Sequence, residues 1–204
     1  MKTKFLVCIS FIIAYLIGSI SSAIIAGRFI FHVDIKKVGS GNAGTTNAIR
    51  AFGKKAGIMV FIFDCLKGFI GTYLGYLIAG DLGSYAGALG AIIGHSFPVY
   101  FGFKGGKGIA TAVGILLYLD TKMILLLLGI FAIIVILTKY VSLGSIVTVI
   151  LAPIYTYIYH FDQKPIYFYT ILALSSLILF NHRSNIIRLI KGKERKIGGN
   201  KWQK

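Results

Sequence analysis

The residues of this chain best suited to chemistry sit in three polar stretches separated by long apolar runs. Gly102-Phe103-Lys104-Gly105-Gly106-Lys107-Gly108 sets two lysines among four glycines. Upstream, the stretch from Val38 to Arg50 (VGSGNAGTTNAIR) combines glycines with hydroxyl, amide and guanidinium groups. The third, from Asn181 to Glu194, places His182, Asn185 and Arg188 at steps of three along an amphipathic segment. Glycines let a backbone fold into a nest whose N–H groups converge on an anion. Lysine adds a point charge and arginine a bidentate grip on phosphate. Read together, the three stretches describe one anion site.

Each stretch excludes a familiar alternative. Gly39-Ser40-Gly41-Asn42-Ala43-Gly44 matches G-x-G-x-x-G, but no strand-turn-helix unit surrounds it, so the dinucleotide reading fails and only the anion nest survives. Thr45 to Arg50 reads as a short helix ended by Gly53, its N-terminus offering free N–H groups to the same anion. Thr46, Asn47 and Arg50 share one face of that helix. A helix cap plus a snorkelling arginine explains the stretch equally well. The lysine loop is not a Walker A motif, because Gly108 stands where Ser or Thr is needed.

His95 precedes Phe97-Pro98 at the end of an apolar run and reads as a cap or hydrogen-bonding scaffold rather than a base. Tyr100 stands where a His-x-x-x-x-Asp acyltransferase dyad would need its acid. Histidine clusters for zinc and paired acids for glycosidic or two-metal chemistry are missing from the sequence. The expected reaction therefore needs no strong protein base, no metal and no other cofactor.

The elements that must carry these stretches are membrane helices. The chain of 204 residues is 56% hydrophobic with a mean hydropathy of +0.81, more Leu and Ile than a soluble core of this size absorbs. Apolar segments fall near 5–27, 57–79, 83–99, 109–119, 123–138, 143–159 and 166–180, which predicts an all-α bundle of seven transmembrane helices with short amphipathic or re-entrant cytoplasmic segments. One domain, residues 1–204, is expected, with 191–204 as a basic cytoplasmic tail. Lys2 and Lys4 ahead of an apolar run resemble a signal peptide, but the run continues to Ala26 and reads as an uncleaved first helix.

The formal charge of +16 would by itself allow nucleic acid as a partner, but in a membrane chain it reports topology. Seven crossings put 17 of the 22 Lys and Arg residues on the side of the C-terminal tail. The positive-inside rule makes that side cytoplasmic and leaves the N-terminus outside, with Asp81, Asp120 and Asp162 at the outer turns.

The segment 109–119 is roughly 16 Å of helix against a core of ~30 Å, so either its start is buried in protein or the lysine loop dips inward. Gly83, Gly87, Gly90 and Gly94 line one face, fit for close helix packing. Asp64 and Lys67, three apart, read as an intramembrane ion pair of structural use, although a buried charge is always a functional suspect. Cys8 and Cys65 lack metal or redox spacing and read as packing residues.

GSGNAGTTNAIRAFGKKAG, GHSFPVYFGFKGGKGIATA, KYVSLGSI and HRSNIIRLIKGKE, in this order, resemble the motifs of the bacterial acyl-phosphate glycerol-3-phosphate acyltransferase (PlsY) family. Gly18-Ser19-Ile20 and Asp64-Cys65-Leu66-Lys67-Gly68 extend the resemblance over nearly the whole chain. Ser21 and Thr45 stand where the family usually has proline and alanine, departures that leave activity intact.

The resemblance implies a multi-pass protein of the bacterial inner membrane, its active site cytoplasmic. The implied reaction moves a fatty acyl group from acyl phosphate to the 1-hydroxyl of glycerol 3-phosphate, giving lysophosphatidic acid and phosphate. By motif match the catalytic side chains are Ser40, Arg50, Lys107, Ser145, His182 and Asn185. Gly41, Asn42, Gly44, Thr46, Asn47, His95, Lys104, Gly105, Gly106 and Arg188 are the matching substrate-binding set. Partners are the two substrates and membrane lipid, without nucleic acid; the oligomeric state stays open and is compatible with a monomer. Two rival functions fit the sequence less well: a transporter or channel for a phosphorylated solute would need polar residues through the bundle, and a metal-dependent head-group transferase would need clustered acids.

Overall fold

In a computed structural model, which describes residues 1–197, the chain is helical throughout, with no strand among the described residues. The distal tail, 198–204, lies outside them. The chain forms two compact units, Met1–Leu119 and a second from Asp120 onward.

In the first unit α1 (Lys2–Gly18) gives way at Ser19–Ser21 to a short α2 (Ser22–Ile25), which continues as a π-helical turn to Ile30. The first crossing is thus broken, not the single uninterrupted helix its apolar run predicts. The cause is tertiary: Lys67 Nζ takes the Ile20 carbonyl at 2.9 Å, and Ser21 is extended at that point. A 3-10 turn (Ile35–Lys37) and α3 (Thr45–Phe52) carry the first polar stretch.

The long helix α4 (Lys54–Ser96) is really a hairpin, because Ala79 and Gly80 leave helical geometry and Gly80 takes a φ of 61° that L side chains rarely adopt. The four glycines at 83, 87, 90 and 94 do what their spacing predicts. Gly83 and Gly87 abut the carbonyls of Gly75 and Gly71 across the hairpin, and Gly90 and Gly94 abut those of Phe11 and Tyr15 on α1. The lysine loop follows, then α5 (Ile109–Leu119), which lies on α4 with Gly68 against the Thr111 carbonyl and Gly114 against that of Cys65.

The second unit holds α6 (Thr121–Thr138), α7 (Val141–His160), α8 (Pro165–Asn181) and α9 (Arg183–Ile190). Asp120 caps α6 by accepting from Met123 N–H at 2.9 Å, and Pro165 opens α8 at a position where its missing N–H costs nothing. α6 packs on α7 and α7 on α8, with Gly144 against the Phe131 ring.

Four helical stretches among the described residues are long and apolar enough to cross a bilayer, or five with the bent pair α8 and α9 taken as one. Dividing the α4 hairpin and adding the short α5 brings the apolar segments to seven. Their outer faces are apolar: Ile133, Ile136 and Leu137 on α6 are exposed, a surface suited to lipid and not to water. This is an all-α, multi-pass integral membrane protein.

Candidate anion site

The first polar stretch folds around Asn47. Its side chain is buried on α3, its Oδ1 accepts from Ser40 N–H at 2.8 Å, and its Nδ2 donates to the Ile35 and Val38 carbonyls at 3.1 and 2.9 Å. Gly39, at a φ of +63°, lies so close to the Asn47 amide that any side chain there would collide with it. Asn47 therefore shapes the nest from beneath, spending its amide on the loop itself. Ser40 and Gly41 are exposed on the loop, and Asn42, Thr46 and Arg50 are half-buried. Gly44 starts α3 without a side-chain cap and its carbonyl takes the Asn47 N–H, which leaves the N–H groups of Thr45 and Thr46 in the first turn for another acceptor.

The lysine loop folds back on the end of α4: Gly105 N–H donates to the Ser96 carbonyl at 3.0 Å and Gly106 N–H to that of His95 at 3.1 Å. Gly106 is wedged between the His95 ring and the first stretch. A Cβ there would strike His95 Nε2 and come within 2.8 Å of the Ala43 carbonyl. This close approach brings the Ala43 end of the first glycine stretch against the lysine loop at Gly106. Lys104 is exposed and Lys107 half-buried, and α5 begins directly after the loop, adding a second helix N-terminus.

His95 is buried, with Nδ1 lacking a hydrogen-bond partner and lying 3.8 Å from Asp64 Oδ1, too far for a hydrogen bond. Asp64 and Lys67 form the expected pair at 2.9 Å, and Ser22 Oγ donates to the same carboxylate oxygen at 2.8 Å.

The remaining named residues belong to the second unit. Ser145 is buried on α7, its hydroxyl donating to the Val141 carbonyl at 3.0 Å. His182 sits where α8 passes into α9, and its Nδ1 faces the Ile178 carbonyl at 2.8 Å. Nδ1 must carry the hydrogen, so in the neutral ring Nε2 is an acceptor; donating from Nε2 would need the imidazolium.

Asn185 Nδ2 and Arg188 Nε both donate to Glu194, at 2.8 and 2.7 Å, and Ser142 Oγ joins them at 2.9 Å. Burial pushes the Glu194 carboxyl up, but hydrogen bonds from Arg188, Asn185 and Ser142 outweigh it and hold the group below its ordinary value. Sequence reasoning missed Glu194 and Ser142 as organisers. The one available signal was an isolated acid in a strongly basic segment.

The glycerol-3-phosphate acyltransferase family model matches residues 8–192. The chain belongs to the glycerol-3-phosphate acyltransferase family. A relative of that name in Finegoldia magna is 47% identical over 190 residues, spanning 93% of this chain and 95% of its own. One in Clostridioides difficile is 41% identical over 196 residues, with 93% and 95% covered. Among solved structures, PlsY (YgiH), an integral membrane glycerol 3-phosphate acyltransferase, matches in its glycerol 3-phosphate form with a TM-score of 0.86 at 36% identity, covering 97% of this chain and 96% of that one. Its lysophosphatidic acid form matches with a TM-score of 0.82 at 37% identity and the same coverage. Family membership makes the protein an acyltransferase.

Proposed function

We propose that the chain works as one acyltransferase domain that moves a fatty acyl group from acyl phosphate to the 1-hydroxyl of glycerol 3-phosphate, releasing lysophosphatidic acid and phosphate. The observation that carries the reading is the wedge of Gly106 between His95 and the Ala43 carbonyl, which joins the lysine loop to the Ser40–Gly44 nest. Two glycine stretches, two helix N-termini and the cations Arg50 and Lys107 then serve substrates that each bring a phosphate.

An acyl phosphate is a mixed anhydride with a good leaving group, so catalysis consists mainly of holding two anions together with the hydroxyl aimed at the carbonyl carbon. The hydroxyl oxygen forms the ester bond as the acyl carbon-to-phosphate oxygen bond breaks, and the leaving phosphate takes the electron pair. A phosphate of the substrates accepts the hydroxyl proton, which is why no protein base is needed. Lys107 and the N–H groups that open α5 steady the charge on the leaving phosphate, and Arg50 grips phosphate through two parallel hydrogen bonds. Ser40, Ser145 and Asn185 orient phosphate or glycerol hydroxyls, and His182 serves as a hydrogen-bonding group.

The positive-inside rule supports a cytoplasmic location for this chemistry and an N-terminus outside, in the bacterial inner membrane that the resemblance implies. Purified protein in detergent, given palmitoyl phosphate and glycerol 3-phosphate, should yield lysophosphatidic acid by mass spectrometry, and palmitoyl-CoA in place of the acyl phosphate should yield none. Product from the CoA ester alone would overturn the donor assignment.

A further inference from the structure

The acyl-transfer chemistry makes no use of a buried charged cluster that lies directly behind the lysine loop. Asp64 and Lys67 are both buried on α4, 1% and 7% exposed. Lys67 Nζ bridges Asp64 Oδ1 and the Ile20 carbonyl, each at 2.9 Å, and Ser22 Oγ donates to the same carboxylate oxygen at 2.8 Å. His95 approaches that oxygen with an unpartnered buried Nδ1 at 3.8 Å, while its Nε2 faces Gly106. The ring is a spacer, with a carboxylate on one side and the lysine loop on the other.

A buried ion pair is weak as a pure stabiliser, because well-packed apolar residues of the same volume do as well. This one instead ties the break after α1 to the first arm of α4, and its carboxylate faces the end of α4 from which the loop hangs. We propose that Asp64, fixed by Lys67 and Ser22, is a positioning residue for acyl transfer, orienting the His95 ring and through it the seat of Gly106 and Lys107. A carboxylate opposite Nδ1 favours the tautomer that carries its hydrogen there, leaving the unprotonated Nε2 edge against Gly106. Lys67 balances the charge, and Ser22 fixes the carboxylate rotamer. The inference rests on the reading of the lysine loop as a phosphate holder.

The test compares Asp64→Asn, Lys67→Met, the double variant and the milder Ser22→Ala, each purified in detergent. Two readouts apply: steady-state KM and kcat for glycerol 3-phosphate, and the rise in Tm caused by inorganic phosphate. Asp64→Asn should raise KM at least tenfold and remove most of the phosphate-induced Tm rise. The double variant, which again buries no net charge, should regain the wild-type Tm without regaining KM, because His95 still lacks its carboxylate. Ser22→Ala should raise KM several-fold at unchanged Tm, and it carries the test if the charge variants do not fold. Wild-type KM in Asp64→Asn or Ser22→Ala, or joint recovery of Tm and KM in the double variant, would overturn the proposal and leave a structural pair. Should wild type make no lysophosphatidic acid, the functional reading fails by itself, and the phosphate-induced Tm rise still decides the positioning role.

Discussion

The Ser40–Lys107 region of the first unit and the Ser142–Glu194 region of the second hold their polar groups by opposite means. In the first, backbone does the holding: Asn47 spends its amide on three main-chain partners, and Gly106 fits only because it has no side chain. In the second, a single acid gathers side chains from Ser142, Asn185 and Arg188. A main-chain nest does not depend on an ionised side chain but leaves no room for an added atom at Gly39, Gly105 or Gly106, whereas the side-chain clamp depends on one ionised group. The two regions should therefore fail differently, the first in substrate handling alone and the second in stability as well.

The largest expected effect removes the charge that the backbone region presents. Lys107→Ala should lower turnover by about 100-fold or more, the scale seen when a preorganised charge or donor is removed from a developing anion. Phosphate release from acyl phosphate in the presence of glycerol 3-phosphate measures it. Rates like wild type would take Lys107 out of the chemistry.

Gly106→Ala should come next. The added methyl group meets the His95 ring and lies 2.8 Å from the Ala43 carbonyl, so the loop must shift away from the nest. KM for glycerol 3-phosphate should rise about tenfold or more, equivalent to ~1.4 kcal/mol of lost binding. An unchanged KM would mean the two glycine stretches do not act as one site.

How legible each region was in the sequence follows the same division. Apolar runs and the outer-turn residues Asp81, Asp120 and Asp162 marked the helices, and the glycines at 83, 87, 90 and 94 correctly announced close packing, because in lipid small residues have few other uses. The Asp64–Lys67 pair was legible because partners three apart on a helix must meet. The break after α1 was not, since Ser19 to Ser22 reads as a tolerable part of an apolar run and the force that breaks it comes from Lys67, far along the chain. Asn47 pointed to the right neighbourhood, but spacing cannot tell an amide that faces a ligand from one that faces its own loop. Glu194 stayed hidden because its Ser142 partner lies 52 residues away, a pairing only the folded α7 and α9 reveal.

Glu194→Gln tests the side-chain region with a smaller effect. The amide keeps the shape but loses the ion pair with Arg188, at 2.7 Å, and weakens the bonds from Asn185 and Ser142. Charge-assisted hydrogen bonds of this kind contribute about 1.5–3 kcal/mol each when well made, and the half-exposed Arg188 lowers that figure through solvent screening. A lower Tm in detergent is the expected outcome, with a larger drop than in Lys107→Ala. Equal Tm in the two variants would erase the contrast between the regions.

The smallest effect is the acid response of the same clamp. The Glu194 carboxyl is held below its ordinary value of 4.5 in the folded protein, so folding favours its ionised form. The sign follows: the contribution is present in full above that ordinary value and is lost as pH falls through the lower folded value. Wild type should therefore lose Tm more steeply than Glu194→Gln once the pH drops below the usual carboxylate range, and the two curves should run parallel above it. Parallel curves throughout the acid range would show that the clamp holds by shape alone, and that both regions of the molecule are built, after all, on the same principle.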